Sequence, residues 1–348
     1  MTLSSSDNAG PGERRPNAAT IFANLEEDRA EDQAMRVRYA ASHSPTWAEG
    51  RSNTNRRPWL IGILTTTPDL PNTPHPFFGP VLAGVKTRIV AGRCDLLINA
   101  HFPLSTAGPD LYAIERFKEH RVDGLIMMGI SSTDADYLPA IEAGLPAVFV
   151  DFDVFGPRTG YVMSNNLEGM ASMVRHLYTL GRRRIATITG LMNTRPAVDR
   201  LLGYRSEVTR LGLPQRSDYI GEGDFYHHSG LEQARRLLAL DEPPDAIAAA
   251  SDMMAIGAIV AIEDAGLRVP DDIAVTGFDD ADFASSMRPA LTTIKQNAFG
   301  LGVAAGDGIL AMLDQPNAAP PTIVLPTELI IRESCGLELP RGAKGLSQ

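Results

Sequence analysis

The sequence predicts an α/β protein made of parallel sheets in two lobes, and three observations carry that expectation. Residues 246–280, AIAAASDMMAIGAIVAIEDAGLRVPDDIAVTGFDD, read as strand, helix and strand in quick succession, the crossover unit that joins parallel strands. The same alternation recurs along most of the chain. A length of 348 residues supplies more apolar material than one core of ordinary size takes up, so two domains are expected.

The unit at 246–280 justifies itself residue by residue. Its apolar run 246–250 is too short for a helix and ends at Ser251 and Asp252, which suits a buried strand. Ser251 or Asp252 then caps a helix in which Met254, Ile256, Ile259, Ile262 and Ala265 keep helical spacing; Gly266 ends it and Pro270 prevents its resumption. A second strand is expected at 273–276. Asp252 follows the first strand, and Asp279 and Asp280 follow the second, so three carboxylates gather at the carboxyl edge of the sheet, where open parallel sheets bind ligands. Carboxylates beside a helix N-terminus accept hydrogen bonds from neutral, hydroxyl-rich molecules. Asp252 reads rather as a cap and Asp280 as a solvated turn residue, which leaves Asp279 as the acid expected to face a ligand.

The runs Ala250-Ser251-Asp252-Met253-Met254-Ala255-Ile256-Gly257-Ala258, Gly266-Leu267-Arg268-Val269-Pro270-Asp271-Asp272-Ile273 and Gly277-Phe278-Asp279-Asp280 resemble the effector-binding domain of LacI/GalR-type bacterial transcription regulators. Matching runs follow in the family's order from about Pro58 to Gly336. The resemblance implies two doubly wound parallel-sheet lobes of the periplasmic-binding-protein-like type I, joined by three hinge crossovers. It divides the chain into an N-terminal segment 1–58, a first lobe of 59–162 plus 293–319, a second lobe of 163–292 plus 320–336, and a flexible tail 337–348.

Composition bounds the function. An apolar share of 44% with 21% charged residues belongs to a globular protein. A net charge of -10 disfavours a phosphate-covered partner over the whole surface and leaves room only for a local basic patch. Cys94 and Cys335 lie far apart in no ligand spacing, which points to a reducing compartment and no metal framework. No secretory leader and no membrane-length apolar run are read, so the expected location is the cytoplasm.

Residues 1–18 read as disordered, and 20–42 as one helix with a thin apolar face at Ile21, Leu25, Met35 and Tyr39. The helix-turn-helix with which the family begins is not legible there: no Gly stands between Gly12 and Gly50, and residues 1–58 hold eight basic and eight acidic side chains. The run Arg51-Ser52-Asn53-Thr54-Asn55-Arg56-Arg57 occupies the place of the family's minor-groove hinge, keeps its arginines and lacks an apolar wedge, so it reads as a solvated linker.

The first lobe is expected to open with a strand at 60–64, with Thr65 at its carboxyl end. His75-Pro76-Phe77-Phe78 then leads a helix to about residue 91. The resemblance places Phe78 beside the ligand, where an aromatic face can cover the C–H face of a sugar; Phe77 reads as core. Strands at 95–100, 124–128 and 147–150 alternate with helices at 111–120 and 134–143. Asp151, directly after the third of these strands, corresponds to an acid that faces the effector in some family members.

Val162-Met163-Ser164-Asn165-Asn166 is expected to mark the passage to the second lobe, ahead of a helix at 167–180 and a strand at 185–189. Arg182, Arg183 and Arg184 read as a helix end rather than a nucleic-acid patch. Arg200-Leu201-Leu202-Gly203-Tyr204 resembles the family's Arg-x-x-Gly-aromatic run, which gives Arg200 to the effector through its planar fork of donors, and Gly221 to Phe225 resembles the run that sets Phe225 as a stacking wall. Ser251 stands where the family often has Asn, so it is expected to touch the ligand with one donor and one acceptor fewer. The return strand ends on Gln296, a further expected contact, and a last strand at 322–326 is expected to close the second lobe. Gly300-Leu301-Gly302 imitates a dinucleotide fingerprint inside a helix and reads as packing.

These readings imply a ligand-responsive regulator of LacI type, expected as a homodimer that binds a carbohydrate-like effector and operator DNA, with no cofactor, no catalysis and no membrane partner. The alternative is a sugar sensor without DNA contact or a solute-binding protein. No Walker A loop, zinc-protease helix or nucleophile elbow is present in the sequence.

Overall fold

The computed structural model describes residues 57–65, 75–100, 112–130, 141, 144–154 and 156–336. The helices expected at 20–42 and 134–143 therefore lie outside or almost wholly outside the described residues.

The first lobe is a six-stranded sheet in the order β11-β5-β4-β3-β1-β2. Its strands are β1 (Leu60–Thr65), β2 (Asp95–Ala100), β3 (Gly124–Met128), β4 (Ala147–Val150), β5 (Thr159–Ser164) and β11 (Thr322–Leu325), and every pairing is parallel. β1, β3 and β4 are buried almost end to end, which is why they read as continuous apolar runs: both faces of a parallel sheet are covered. Helix α1 (Phe78–Ala91) buries Val81, Val85 and Ile89 at helical spacing, and α7 (Ala298–Asp314) buries Leu301, Ala305 and Ile309 beside them. On the opposite face lie Phe117 from α2 (Tyr112–Glu119), Phe149 and Phe152.

The contact between α1 and α7 is a backbone contact. A Cβ on Gly302 would run into the Val81 carbonyl oxygen, and one on Gly84 into the carbonyl of Phe299. Helix packing thus explains Gly302, whereas Gly300 lies against the Asn297 side chain that caps α7.

The second lobe has the sheet order β12-β10-β9-β8-β6-β7. It comprises β6 (Ile185–Thr189), β7 (Ile220–Glu222), β8 (Ala246–Ala249), β9 (Ala274–Asp279), β10 (Thr292–Lys295) and β12 (Glu328–Ile330), of which only β12 runs antiparallel to its neighbour. It is covered by α3 (Asn166–Thr179), α4 (Arg195–Arg210), α5 (His227–Leu238) and α6 (Asp252–Asp264). Tyr204, Tyr219, Phe278 and the aliphatic strand residues fill its core. The arginines at 182–184 knit this lobe together: Arg182 donates to the carbonyls of Asp245 and Pro270, Arg184 to that of Pro243, and Arg183 lies 3.9 Å from the Tyr178 ring centroid.

Strand pairing corrects the expected lobe boundaries in three places. The residues at 159–164 remain in the first sheet up to Ser164, so the first passage falls at Asn165 rather than after residue 162. β10 pairs with β9 in the second sheet, with Ile294 opposite Phe278, so the chain leaves that lobe only after Lys295 rather than at 293. The strand expected to close the second lobe, β11, pairs with β5 of the first sheet, with Thr322 opposite Tyr161, and the return falls at 326–327 rather than at 320. The passages touch one another: Asn165 N–H donates to the Leu325 carbonyl at 2.8 Å, and the Thr327 hydroxyl to the Asn165 carbonyl at 3.4 Å. Among the described residues no helix is long and apolar enough to cross a membrane.

Candidate ligand cleft

Both sheets end their strands toward the same place. Thr65, Asp151 and Ser164 stand at the carboxyl ends of β1, β4 and β5; Phe225, Ser251, Asp279 and Gln296 follow or end β7, β8, β9 and β10.

Arg200 lies at the centre of this arrangement. It sits in the second turn of α4, nearly fully buried, with its guanidinium 3.8 Å from the Phe278 ring centroid and 5.8 Å from that of Phe225. Its Nε donates to Asn166 Oδ1 at 2.8 Å and its Nη1 to the Ala250 carbonyl at 2.6 Å. Asn166 is itself fixed by donating to the Ser164 carbonyl at 3.2 Å. Nη1 lies 4.0 Å from Asp279 Oδ1, an ionic contact rather than a hydrogen bond. The fork is held flat by aromatic stacking and oriented by two neutral acceptors.

Asp279 accepts from Gln296 Nε2 at 2.7 Å, and its other oxygen lies 4.0 Å from His75 Nε2 of the first lobe. Burial raises its pKa, against the pull of His75, Arg200 and Gln296. Asp151 accepts from the Ser164 N–H at 3.4 Å, and burial lifts its carboxyl to about 6, with Arg200 opposing and Asp279 adding to the rise. Burial also lowers the pKa of Arg200, which the surrounding acids resist. The cleft therefore holds an excess of buried acid over buried base.

An aromatic wall closes it. The His75 ring meets Phe78, Phe225 and Tyr226 edge-on, at centroid distances of 6.1, 6.4 and 5.7 Å. Phe77 lies in the core of the first lobe, as its spacing predicts. Gly190 exists for this wall: any Cβ there would penetrate the Phe225 ring. Of six described non-glycine residues with positive φ, four are Asp151, Phe225, Asp279 and Asp280. Backbone held in such regions concentrates where function constrains geometry.

Ser251 and the two acids beside Asp279 bond within the protein. Ser251 is fully buried, accepts from the Met254 N–H at 3.1 Å and donates to the Phe225 carbonyl at 2.8 Å. Its hydroxyl thus caps α6 and anchors Phe225. Asp280, expected as a solvated turn, is mostly buried and bonded to Arg332 at 2.6 Å. Asp252 is not the cap either. It accepts from the Thr293 hydroxyl at 2.5 Å and the Ala281 N–H at 2.8 Å, tying the loop after β9 to β10; burial and the nearby Asp279 raise its pKa well above the usual range.

Thr65 is buried at the first lobe's edge. Arg200, Phe225, Asp279, Gln296, Asp151 and Phe78 are brought together, joined by His75, Asn166 and Tyr226, which the sequence does not single out. A further cross-lobe pair links Arg195 at the start of α4 to Asp153, two residues after Asp151, while Arg195 Nε bonds Asp199 at 2.8 Å.

Two doubly wound lobes that present opposed carboxyl edges, with buried charge and aromatic walls between them, define a two-lobed small-molecule receptor. The family description "periplasmic binding protein-like domain" accordingly matches residues 174–335. The chain is 32% identical over 264 residues to the probable HTH-type transcriptional repressor ExuR of Bacillus subtilis, covering 75% of this chain and 77% of that one. To the ribose operon repressor of Haemophilus influenzae it is 30% identical over 312 residues, 88% of this chain and 90% of the relative. Among solved structures it is similar to a transcriptional regulator CelR–cellobiose complex, with a TM-score of 0.73, 26% identity and 92% of each chain covered. It is also similar to the lac repressor dimer bound to operator and the anti-inducer ONPF, with a TM-score of 0.70, 29% identity, and 80% and 94% covered. The chain belongs to the LacI family of transcriptional regulators.

Proposed function

We propose that this chain is a cytoplasmic, homodimeric transcription regulator whose inter-lobe cleft binds a neutral carbohydrate without transforming it, and whose ligand-dependent lobe closure changes its grip on operator DNA. The carrying observation is the convergence of Arg200, Asp279, Gln296 and Phe225 from the second lobe with Asp151 and Phe78 from the first. Three buried polar atoms of this region, His75 Nε2, Ser164 Oγ and Gln296 Oε1, make no hydrogen bond among the described residues. Such groups cost roughly 1–3 kcal/mol each until satisfied, and hydroxyls satisfy donors and acceptors alike. The acid excess favours a neutral ligand over a sugar phosphate, because a second anion would add to the burden already raising Asp151 and Asp279.

Binding without chemistry agrees with relatives named as repressors. Direct DNA contact is favoured over a sensor that leaves DNA alone by one further observation. The match to the ribose operon repressor takes in 88% of the chain, more than residues 58–348 supply, so it reaches into the segment where no helix-turn-helix is legible. Coupling between effector and operator requires only that the two lobe arrangements differ in affinity for each.

A thermal-shift screen of neutral sugars, uronates and sugar phosphates tests the ligand class. A ligand at a hundred times its dissociation constant stabilises by about 2.7 kcal/mol, and stabilisation by phosphorylated sugars alone overturns the proposal. For DNA, the full-length chain is expected to retard its own promoter fragment in a salt-dependent, sugar-dependent way; no retardation at low salt removes the operator part.

A further inference from the structure

We infer that His75 reads the ligand by clamping one of its hydroxyls against Asp279 from the opposite lobe. The inference rests on the proposed cleft and adds to it a residue and a rule of selection. His75 precedes α1, and its side chain is only 8% exposed. Nδ1 accepts from the Phe77 N–H at 3.3 Å, which assigns the ring proton of the neutral form to Nε2. Nε2 is buried and has no hydrogen-bond partner among the described residues. Phe78, Phe225 and Tyr226 surround the ring, so nothing apolar in reach can relieve it.

The acceptor it faces, Asp279 Oδ2, is 4.0 Å away, too far for a direct hydrogen bond. A hydroxyl oxygen placed between them accepts from Nε2–H and donates to the carboxylate. Two such bonds of about 2.8 Å meeting near the tetrahedral angle span roughly 4.5 Å, so the pair stands within about half an ångström of the span a bridging hydroxyl sets. The remaining Asp279 oxygen is already ordered by Gln296. A hydrogen or methyl in place of the hydroxyl leaves both the buried N–H and the buried oxygen unserved, and an ammonium serves only the acid. Each of these substitutions is selected against because the site's own polar groups go unpaired. Since donor and acceptor come from different lobes, the same hydroxyl that is read also ties the lobes together.

The test uses the full-length protein, isothermal titration, and a probe panel of D-ribose, D-xylose, D-glucose, D-galactose and cellobiose with the monodeoxy analogues of whichever binds. His75→Phe keeps an aromatic ring among its neighbours and removes the donor. His75→Gln restores an N–H at about the reach of Nε2 and guards against a variant that fails to fold. The expected result is a 10- to 100-fold loss of affinity in H75F, recovered in part by H75Q. One monodeoxy analogue should bind wild type at least tenfold more weakly than its parent and bind H75F no more weakly. Equal affinities for H75F and wild type, or a deoxy penalty of the same size in both, overturn the clamp and leave the carbohydrate cleft standing. Failure of every panel sugar to bind wild type refutes the clamp together with the cleft reading beneath it.

Discussion

Replacing Asp151 by Asn is expected to stabilise the ligand-free protein while abolishing its purpose. Burial holds this carboxyl at about 6 against an ordinary 3.8, so between those values the folded state keeps a proton that the unfolded chain has released. Stability then falls as pH rises through that window. The displacement amounts to about 3 kcal/mol at ~1.4 kcal/mol per tenfold, fully felt above pH ~7 and absent below pH ~4. Asn carries no charge to desolvate, and it tolerates the left-handed φ of +57° found here as readily as Asp. Loss of the Ser164 N–H to carboxylate contact discounts the gain, which leaves about 1–3 kcal/mol at pH 8. Urea midpoints of both proteins at pH 4.5, 6, 7 and 8, without sugar, measure it, and titration of the same samples with sugar should show binding lost. An Asn variant that is less stable at pH 8, or a difference that does not change with pH, refutes the account of Asp151 as a buried acid kept for ligand.

Three other outcomes follow from the geometry. Arg200→Lys keeps a charge but loses the fork that serves Asn166 and Ala250 at once, so sugar affinity measured by calorimetry should drop at least about 100-fold, with near-wild-type affinity counting against its central place. Asp153→Asn breaks the cross-lobe pair with Arg195, whose partners are each about a quarter exposed; a partly solvated pair supports a loss of only about two- to fivefold, which should shrink as salt rises in the wild type. Gly302→Ala forces α7 away from Val81 and should cost about 1–3 kcal/mol by overpacking, seen as a lower melting temperature with unchanged affinity in the folded fraction.

Much of the fold was legible because parallel strands buried on both faces leave unbroken apolar runs. The strands at 60–65, 124–128 and 147–150 and the unit at 246–280 show this directly. Lobe membership was less legible. β11 alternates exposed and half-buried residues, a pattern that fits the edge of either sheet, and only pairing with β5 decides between them. In the cleft, Arg200, Asp279, Phe225, Gln296, Asp151 and Phe78 were found through motif runs. His75 is not legible because a polar residue before Pro-Phe-Phe reads as a helix entrance, nor Asn166, because its bond to Arg200 spans 34 positions. Ser251 shows its capping duty in the sequence but not its bond to the Phe225 carbonyl, 26 positions away. A tertiary hydrogen bond leaves no periodicity behind it.

The placement of α7 and β11 bears on how the protein is made. The first lobe begins to leave the ribosome before the second, yet its covering helix and its outermost strand are supplied by residues 298–325. The upstream lobe thus waits on the nascent chain until those residues are made, its β5 edge bare. A chain terminated ahead of Thr322 would keep that edge open to strand addition, and the β10 edge with it, so truncation products of this receptor should aggregate.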